Sequence, residues 1–152
     1  MDIQLLESNE VPPMDLLLLA DPSQEMIDNY MKRGQCYIAK AKNKIVGVYV
    51  LLPITSRTIE LVNIAIDENE QGRGGFGKQL VMHAIDSARK QGYGEIKVGT
   101  GNSSIAQLAF YQKCGFRITG IDKDFFTRNY SEKIIENGIV CQDMIRLTMD
   151  LL

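Results

Sequence analysis

Tryptophan is absent from this 152-residue sequence, histidine occurs once, and the three cysteines lie far apart. Cys36, Cys114 and Cys141 match neither the paired spacing of a zinc site nor the even-numbered framework of a disulfide-rich domain. His83 has no second imidazole with which to bind a metal, so we expect it to lie at the surface or to be hydrogen-bonded. These observations predict reduced, packed thiols and no metal ion.

Charge of one sign and long apolar runs are also lacking. The chain has 17 Lys and Arg against 19 Asp and Glu, which gives a net charge of −2 and no basic surface for a nucleic acid. No segment approaches the roughly 20 apolar residues that span a bilayer. The first four residues lack the basic and apolar parts of a signal peptide. We therefore expect a cytoplasmic protein without a nucleic-acid or membrane partner.

What the chain does contain is enough apolar material for one domain. Its hydrophobic content is 45%, and domains of about 150 residues bury roughly 70% of the surface of the unfolded chain. The sequence shows no internal repeat, linker or low-complexity tract. We expect residues 1–152 to form a single domain.

The first half of the sequence predicts an antiparallel sheet. Apolar and β-branched runs predict strands over residues 3–6, 36–41, 45–52 and 58–66, and the last three are joined by short turns. A short apolar run predicts a helix over 14–20. Asp21-Pro22 has the pattern of an N-cap followed by proline, and predicts a second helix that ends before Gly34.

The second half alternates helices and strands. Helical spacing of apolar residues follows a glycine-rich loop and ends at Gly92, and the strand after it, 95–99, must run parallel to 58–66 because a helix separates them. A turn over 100–104 precedes a helix from 105 that ends at Gly115. Further strands are predicted over 116–122 and 140–151, with an aromatic and charged loop or short helix over 124–136. The chain is thus predicted to be an α/β domain with a mixed sheet.

The glycine-rich loop is the most informative segment. Residues 71–78 read Gln-Gly-Arg-Gly-Gly-Phe-Gly-Lys, with four glycines in six residues directly before a predicted helix. Glycines allow a ligand to approach the backbone, and the first N–H groups of a helix attract anions. The loop therefore predicts a phosphate or pyrophosphate site, although a glycine-rich turn without a ligand stays possible.

Two nucleotide-binding motifs fit this loop poorly. A P-loop needs Ser or Thr where Gln79 stands, because a hydroxyl must bind magnesium. A dinucleotide fingerprint fits Gly72–Gly77, but the region about 20 residues further on is a helix end and turn rather than a strand end carrying an acid.

The order of elements resembles the GNAT superfamily of N-acetyltransferases over essentially the whole chain. The family signature Q/R-x-x-G-x-G/A is similar to Gln71 followed by Gly74, Gly75 and Gly77, with one additional residue. A second element, Tyr111-x₃-Gly115-Phe116, resembles the family's Y-x₃-G-F. The resemblance implies a mixed, mostly antiparallel sheet of six to seven strands flanked by about four helices.

It also implies acetyl-CoA as the cosubstrate, held without a metal. The residues implied to bind it are Ile64, Ala65, Ile66, Gln71, Gly72, Arg73, Gly74, Gly75, Phe76, Gly77, Lys78, Asn102 and Ser104. A backbone N–H of Ile64, Ala65 or Ile66 would polarise the acetyl carbonyl, while Asn102 is equally suited to cap a turn.

Tyr111 is similar to the family's general acid for the departing thiolate, although it would also pack well beside Phe110. Glu60, on the strand before the loop, is the best-placed base for an attacking amine, unless it is a solvated strand-edge acid. No cysteine has a neighbouring histidine, so direct transfer to a primary amine of a small molecule or peptide is expected. Asn63 is suited to orienting a substrate.

Two alternatives remain: a non-catalytic acyl-CoA-binding sensor and a degenerate P-loop protein. Among acceptors, polyamines, amino sugars, amino acids and protein N-termini stay open. Acidic residues around Phe125-Phe126 and Tyr130 favour a small cation with an apolar part. A free edge on the final strand predicts a possible homodimer.

Overall fold

The computed structural model describes residues 2–71 and 75–152. Its helices are α1 Met14–Ala20, α2 Gln24–Met31, α3 Phe76–Lys90, α4 Ile105–Lys113 and α5 Phe125–Asn129, with a short 3₁₀ turn at Glu68–Glu70. Its strands are β1 Asp2–Leu5, β2 Gln35–Ala41, β3 Lys44–Pro53, β4 Thr58–Ile66, β5 Glu95–Gly101, β6 Arg117–Asp122, β7 Ile135–Glu136, β8 Ile139–Val140 and β9 Met144–Asp150.

Seven strands form one sheet in the order β1-β2-β3-β4-β5-β9-β6. Every neighbouring pair is antiparallel except β4 and β5, which are parallel and are connected through α3. The predicted fold class is confirmed, and five helices are described where about four were expected. The additional one is α5, inside the segment that was predicted to be a loop or short helix.

Helices cover both faces of the sheet. The apolar stripe of α3, with Leu80, Ala84 and Ala88, is fully buried against one face. Leu17 of α1 and Ile27 of α2 are buried on the opposite face. Among the described residues, no helix has the length and apolar character to cross a membrane.

The strands β4 and β5 diverge halfway along their length. Their parallel register runs from Thr58 opposite Glu95 to Leu61 opposite Val98 and ends there. Beyond this point β5 continues beside β9, whereas residues 62–66 of β4 keep only β3 as a neighbour. The divergence opens the sheet and leaves one backbone edge of β4 free.

A β-bulge lies where the divergence begins. Val50 of β3 faces Asn63, and the next residue, Leu51, faces Leu61, so Val62 is an additional residue on β4. Such a bulge bends the strand and reverses the side-chain alternation beyond it. Asn63 therefore lies on the α1–α2 face together with Glu60, although three positions separate them.

Three local predictions were wrong. Asp21 does not cap α2; Ser23 does, its hydroxyl accepting a hydrogen bond from the Met26 N–H at 3.2 Å. Thr100 and Gly101 continue β5 instead of forming a turn. The final strand begins at Met144, with β5 on one side and β6 on the other. Both of its edges are paired, so the argument for a homodimer through this strand fails.

Candidate active site

A cleft of about 770 Å³ opens where β4 and β5 diverge. One wall is the free edge of β4, and the other is the end of β5 with α4. The α1–α2 connection and α5 close a third side. Among the residues predicted for the site, the cleft is lined by Glu60, Ile64, Ala65, Ile66, Gln71, Gly77, Ser104 and Tyr111.

The free edge of β4 offers backbone donors to the cleft. The Asp67 N–H bonds to the Val46 carbonyl at 2.8 Å, so this residue points toward β3. Because successive residues of a strand point their N–H groups to opposite edges, Ala65 also points toward β3, while Ile64 and Ile66 point into the cleft. The three predicted oxyanion donors are thereby reduced to two.

The start of α3 lies at one end of this edge. Gly75 precedes the helix with φ +72°, a left-handed conformation that favours glycine. Apart from its chain neighbour Phe76, no described residue lies within 4 Å of the position that a Cβ would take there. The Gln71 amide donates to the Ile66 carbonyl at 3.0 Å. Phe76 packs against the core and Lys78 is exposed outside the cleft lining. Gly72, Arg73 and Gly74 lie outside the described residues.

Tyr111 lines the cleft from α4. Its side chain is buried against Phe110 and Phe116, with ring centroids 5.5 and 5.9 Å away. Burial raises the pKa of this phenol well above its ordinary value, so the group keeps its proton at neutral pH.

Glu60 is held by an arginine that the sequence did not single out. Its Oε2 lies 3.3 Å from Nη1 of Arg146 on β9. Burial raises the pKa of Glu60, and the guanidinium opposes that rise. Gly99, opposite Arg146 in the register, leaves room for this contact, because a Cβ there would lie 3.3 Å from Nη1.

Asn102 and Ser104 are engaged in structural contacts. The Asn102 Oδ1 accepts hydrogen bonds from the N–H groups of Gln142 and Asp143 at 2.8 and 2.9 Å, and its amide donates to the Val140 carbonyl. Asn102 therefore links the segment after β5 to the segment before β9. The Ser104 hydroxyl lines the cleft and donates to Glu136 at 2.8 Å.

A second polar group lies where the cleft meets α1 and α2. The Asn63 amide donates to the Leu17 carbonyl at 3.0 Å and to the Tyr30 hydroxyl at 2.8 Å. The hydroxyls of Tyr30 and Tyr130 donate to Asp21 at 3.3 and 2.8 Å. No sequence signal groups these four residues, because up to 109 positions separate them.

The thiols and the histidine have no evident role in this cleft chemistry. Burial raises the pKa of Cys36 to about 11, and desolvation also raises the pKa values of Cys114 and Cys141. Protonated thiols are poor nucleophiles. His83 lies 2.7 Å from the Tyr49 hydroxyl, which confirms the expected hydrogen-bonded histidine.

The sequence model of the acetyltransferase (GNAT) family matches residues 6–116. YvbK of Bacillus subtilis (strain 168), an uncharacterized N-acetyltransferase, is 56% identical over 149 residues, which cover 98% of this chain and 96% of that protein.

Two solved structures are similar along the whole chain. A GNAT family acetyltransferase from Elizabethkingia anophelis with acetyl-CoA bound has a TM-score of 0.96 at 50% identity, covering 98% of this chain and 97% of its own. A Bacillus subtilis acetyltransferase in complex with CoA has a TM-score of 0.92 at 57% identity, covering 99% and 98%.

Proposed function

The chain belongs to the GNAT family of acetyltransferases and is an N-acetyltransferase, and we propose that it moves the acetyl group of acetyl-CoA directly to a primary amine of a small molecule or peptide. One observation carries the proposal. Glu60 and the free edge of β4 line the same cleft as Tyr111, which comes from α4. A base, an acid and backbone donors are the groups that amide formation from a thioester requires.

The free edge and the start of α3 fit acetyl-CoA. Backbone N–H groups suit the polar, extended part of that molecule, and a helix N-terminus behind a bare glycine suits its pyrophosphate. The space beside Gly75 supports this assignment, since no side chain from residues 2–71 or from beyond Phe76 lies within 4 Å of its Cβ position. The two relatives that hold acetyl-CoA and CoA support the same choice of cosubstrate.

Each catalytic group has one task. An alkylamine with a pKa near 10.4 is only about 0.04% neutral at pH 7, so Glu60 accepts its proton, directly or through water. The N–H of Ile64 or Ile66 donates a hydrogen bond to the carbonyl oxygen as negative charge develops there. Tyr111 donates its hydroxyl proton to the departing sulfur. The new C–N bond replaces the C–S bond, whose electron pair leaves with the sulfur, and an amide and free CoA result.

Direct transfer agrees with the state of the cysteines, since an acetyl-cysteine route needs a thiolate and their pKa values are raised. The sensor alternative gives no role to a tyrosine hydroxyl on the cleft wall. Membership of the GNAT family removes the P-loop alternative. A cytoplasmic location remains a prediction.

The test is release of CoA thiol from acetyl-CoA in the presence of a panel of amines. We expect release to depend on the amine and to yield one acetylated amine for each thiol. A protein that binds acetyl-CoA tightly but releases no thiol with any amine would instead be a sensor.

A further inference from the structure

Asp21 is a buried carboxylate on the wall of the cleft. Only 7% of the residue is exposed. Three donors reach it: the Ser23 N–H at 3.1 Å and the Tyr130 hydroxyl at 2.8 Å bond to Oδ1, and the Tyr30 hydroxyl bonds to Oδ2 at 3.3 Å. A carboxylate has about four acceptor sites. Oδ2 therefore has capacity for a further donor.

Asp21 has no cationic partner in the part of the chain that the structure describes. The ion pairs there involve other acids, and none joins a Lys or Arg to Asp21 within 4.0 Å. Buried carboxylates are normally paired with a positive charge, because removal from water is costly. A positive charge bound in the cleft would balance this carboxylate.

Asn63 supplies an independent observation at the same place. Its residue is 3% exposed, and its Oδ1 has no hydrogen-bond partner among residues 2–71 and 75–152. Reversing the amide would direct the oxygen at the Leu17 carbonyl, so the contacts of Nδ2 fix its orientation. Asn63 lines the cleft, and its buried Oδ1 is an acceptor atom for which the described residues provide no donor.

We propose that Asp21 and Asn63 form a second ammonium site, and that the acceptor is therefore a diamine or another amine with a second positive charge. An ammonium group has three N–H donors and no acceptor, which matches a carboxylate and an amide oxygen with spare capacity. Tyr30 bridges the two residues, and the rings of Phe126 and Tyr130 also line the cleft there. Aromatic faces attract a desolvated cation.

This inference rests on the proposed amine transfer and adds a second contact to it. One amino group loses its proton to Glu60 and receives the acetyl group. The other stays an ammonium ion, donates to Asp21 and Asn63, and takes no part in bond making. This second contact should mainly strengthen binding of the acceptor.

The test compares amines of equal length that differ in the second charge. Wild-type enzyme is assayed by CoA-thiol release with 1,6-diaminohexane against n-hexylamine, and with 1,4-diaminobutane against n-butylamine. We expect kcat/KM to be at least tenfold higher for one of the diamines, mainly through KM, which exceeds the twofold gain from having two reactive groups. Equal values within threefold for both pairs would overturn the second site. Absence of thiol release with every amine would overturn the proposed function itself.

Two variants test whether Asp21 causes the preference for a diamine. Asp21→Asn should reduce the ratio of diamine to monoamine kcat/KM to less than about threefold. Glu25→Gln, which removes the same charge from an exposed position on α2, should retain the wild-type ratio. An unchanged ratio in Asp21→Asn would overturn the assignment. If that variant does not fold, calorimetry measures the affinities of 1,6-diaminohexane and n-hexylamine for the wild-type protein with CoA. Tighter binding of the diamine would support the second ammonium site, and equal affinities would overturn it.

Discussion

Tyr111 shows how burial prepares a single side chain. Its pKa is raised by desolvation, so it keeps its proton to a higher pH than a free tyrosine and can serve as a hydrogen-bond donor to sulfur. We expect Tyr111→Phe to lower kcat by about 10²-fold and to leave the acetyl-CoA affinity within twofold of wild type, since the ring remains. Steady-state kinetics and calorimetry measure the two quantities.

Tyr93→Phe is the matched control, because it removes a hydroxyl from a ring that packs against the core outside the cleft lining. It should keep wild-type kcat. A Tyr111→Phe enzyme within threefold of wild type would make Tyr111 a packing residue.

Arg146 limits the rise in the pKa of Glu60 that burial causes. Burial raises the pKa of this carboxyl and Arg146 lowers it, so removing the guanidinium should raise the pKa further. Since the proposed base acts when deprotonated, Arg146→Met should move the acidic limb of kcat/KM to higher pH. The pH–rate profile measures this. Arg117→Met, at an exposed position of β6, should leave the limb in place, and an unmoved limb in Arg146→Met would separate Glu60 from the rate.

At the scale of elements, β4 provides two of the surfaces that the proposed reaction uses. Its free edge presents the N–H groups of Ile64 and Ile66 to the cleft, and its bulge brings Glu60 and Asn63 onto one face. Neither feature requires an unusual residue in the strand. Both follow from the end of the β4–β5 pairing at Leu61 and from the additional residue Val62.

A substitution at the start of α3 tests the proposed pyrophosphate site. Gly75 has φ +72°, and apart from Phe76 no residue that the structure describes lies within 4 Å of the position of its Cβ. We expect Gly75→Val to weaken acetyl-CoA binding at least tenfold and, because a β-branched residue is strained there, to lower the free energy of unfolding by about 1–2 kcal/mol. Asparagine tolerates this conformation. Gly75→Asn should therefore weaken binding while retaining most of the stability.

Calorimetry and urea unfolding separate the two effects. Wild-type affinity for acetyl-CoA in a folded Gly75→Asn protein would contradict the proposed pyrophosphate site.

At the scale of the whole molecule, one hydrogen bond joins parts of the chain 109 positions apart. The Tyr130 hydroxyl donates to Asp21 at 2.8 Å and fastens the segment after α5 to the α1–α2 connection. Hydrogen bonds to charged groups contribute about 1.5–3 kcal/mol. We expect Tyr130→Phe to lower the free energy of unfolding by an amount in this range, as measured by urea denaturation, with Tyr93→Phe as the control. A loss of less than about 0.5 kcal/mol would show that this contact does not stabilise the fold.

The sequence by itself determined the elements whose causes are local. The apolar stripe of Leu80, Ala84 and Ala88 determined α3, and the apolar, β-branched run over 58–66 determined β4. The glycine loop and Tyr111 were sufficient to indicate the family. The N-cap predicted at Asp21 was wrong. Ser23 is an equally suitable N-cap residue by sequence, and the Asp21 carboxylate accepts hydrogen bonds from Tyr30 and Tyr130 instead.

Only the tertiary structure decided which residues meet. Strand order places Arg146 across Gly99 from Glu60, and it pairs both edges of the final strand, which no sequence pattern encodes. It also joins Asp21, Tyr30, Asn63 and Tyr130 into one buried polar group. The physical reason is that periodicity and capping act over a few residues, whereas burial, ion pairing and unmet hydrogen-bond capacity depend on neighbours that are distant along the chain.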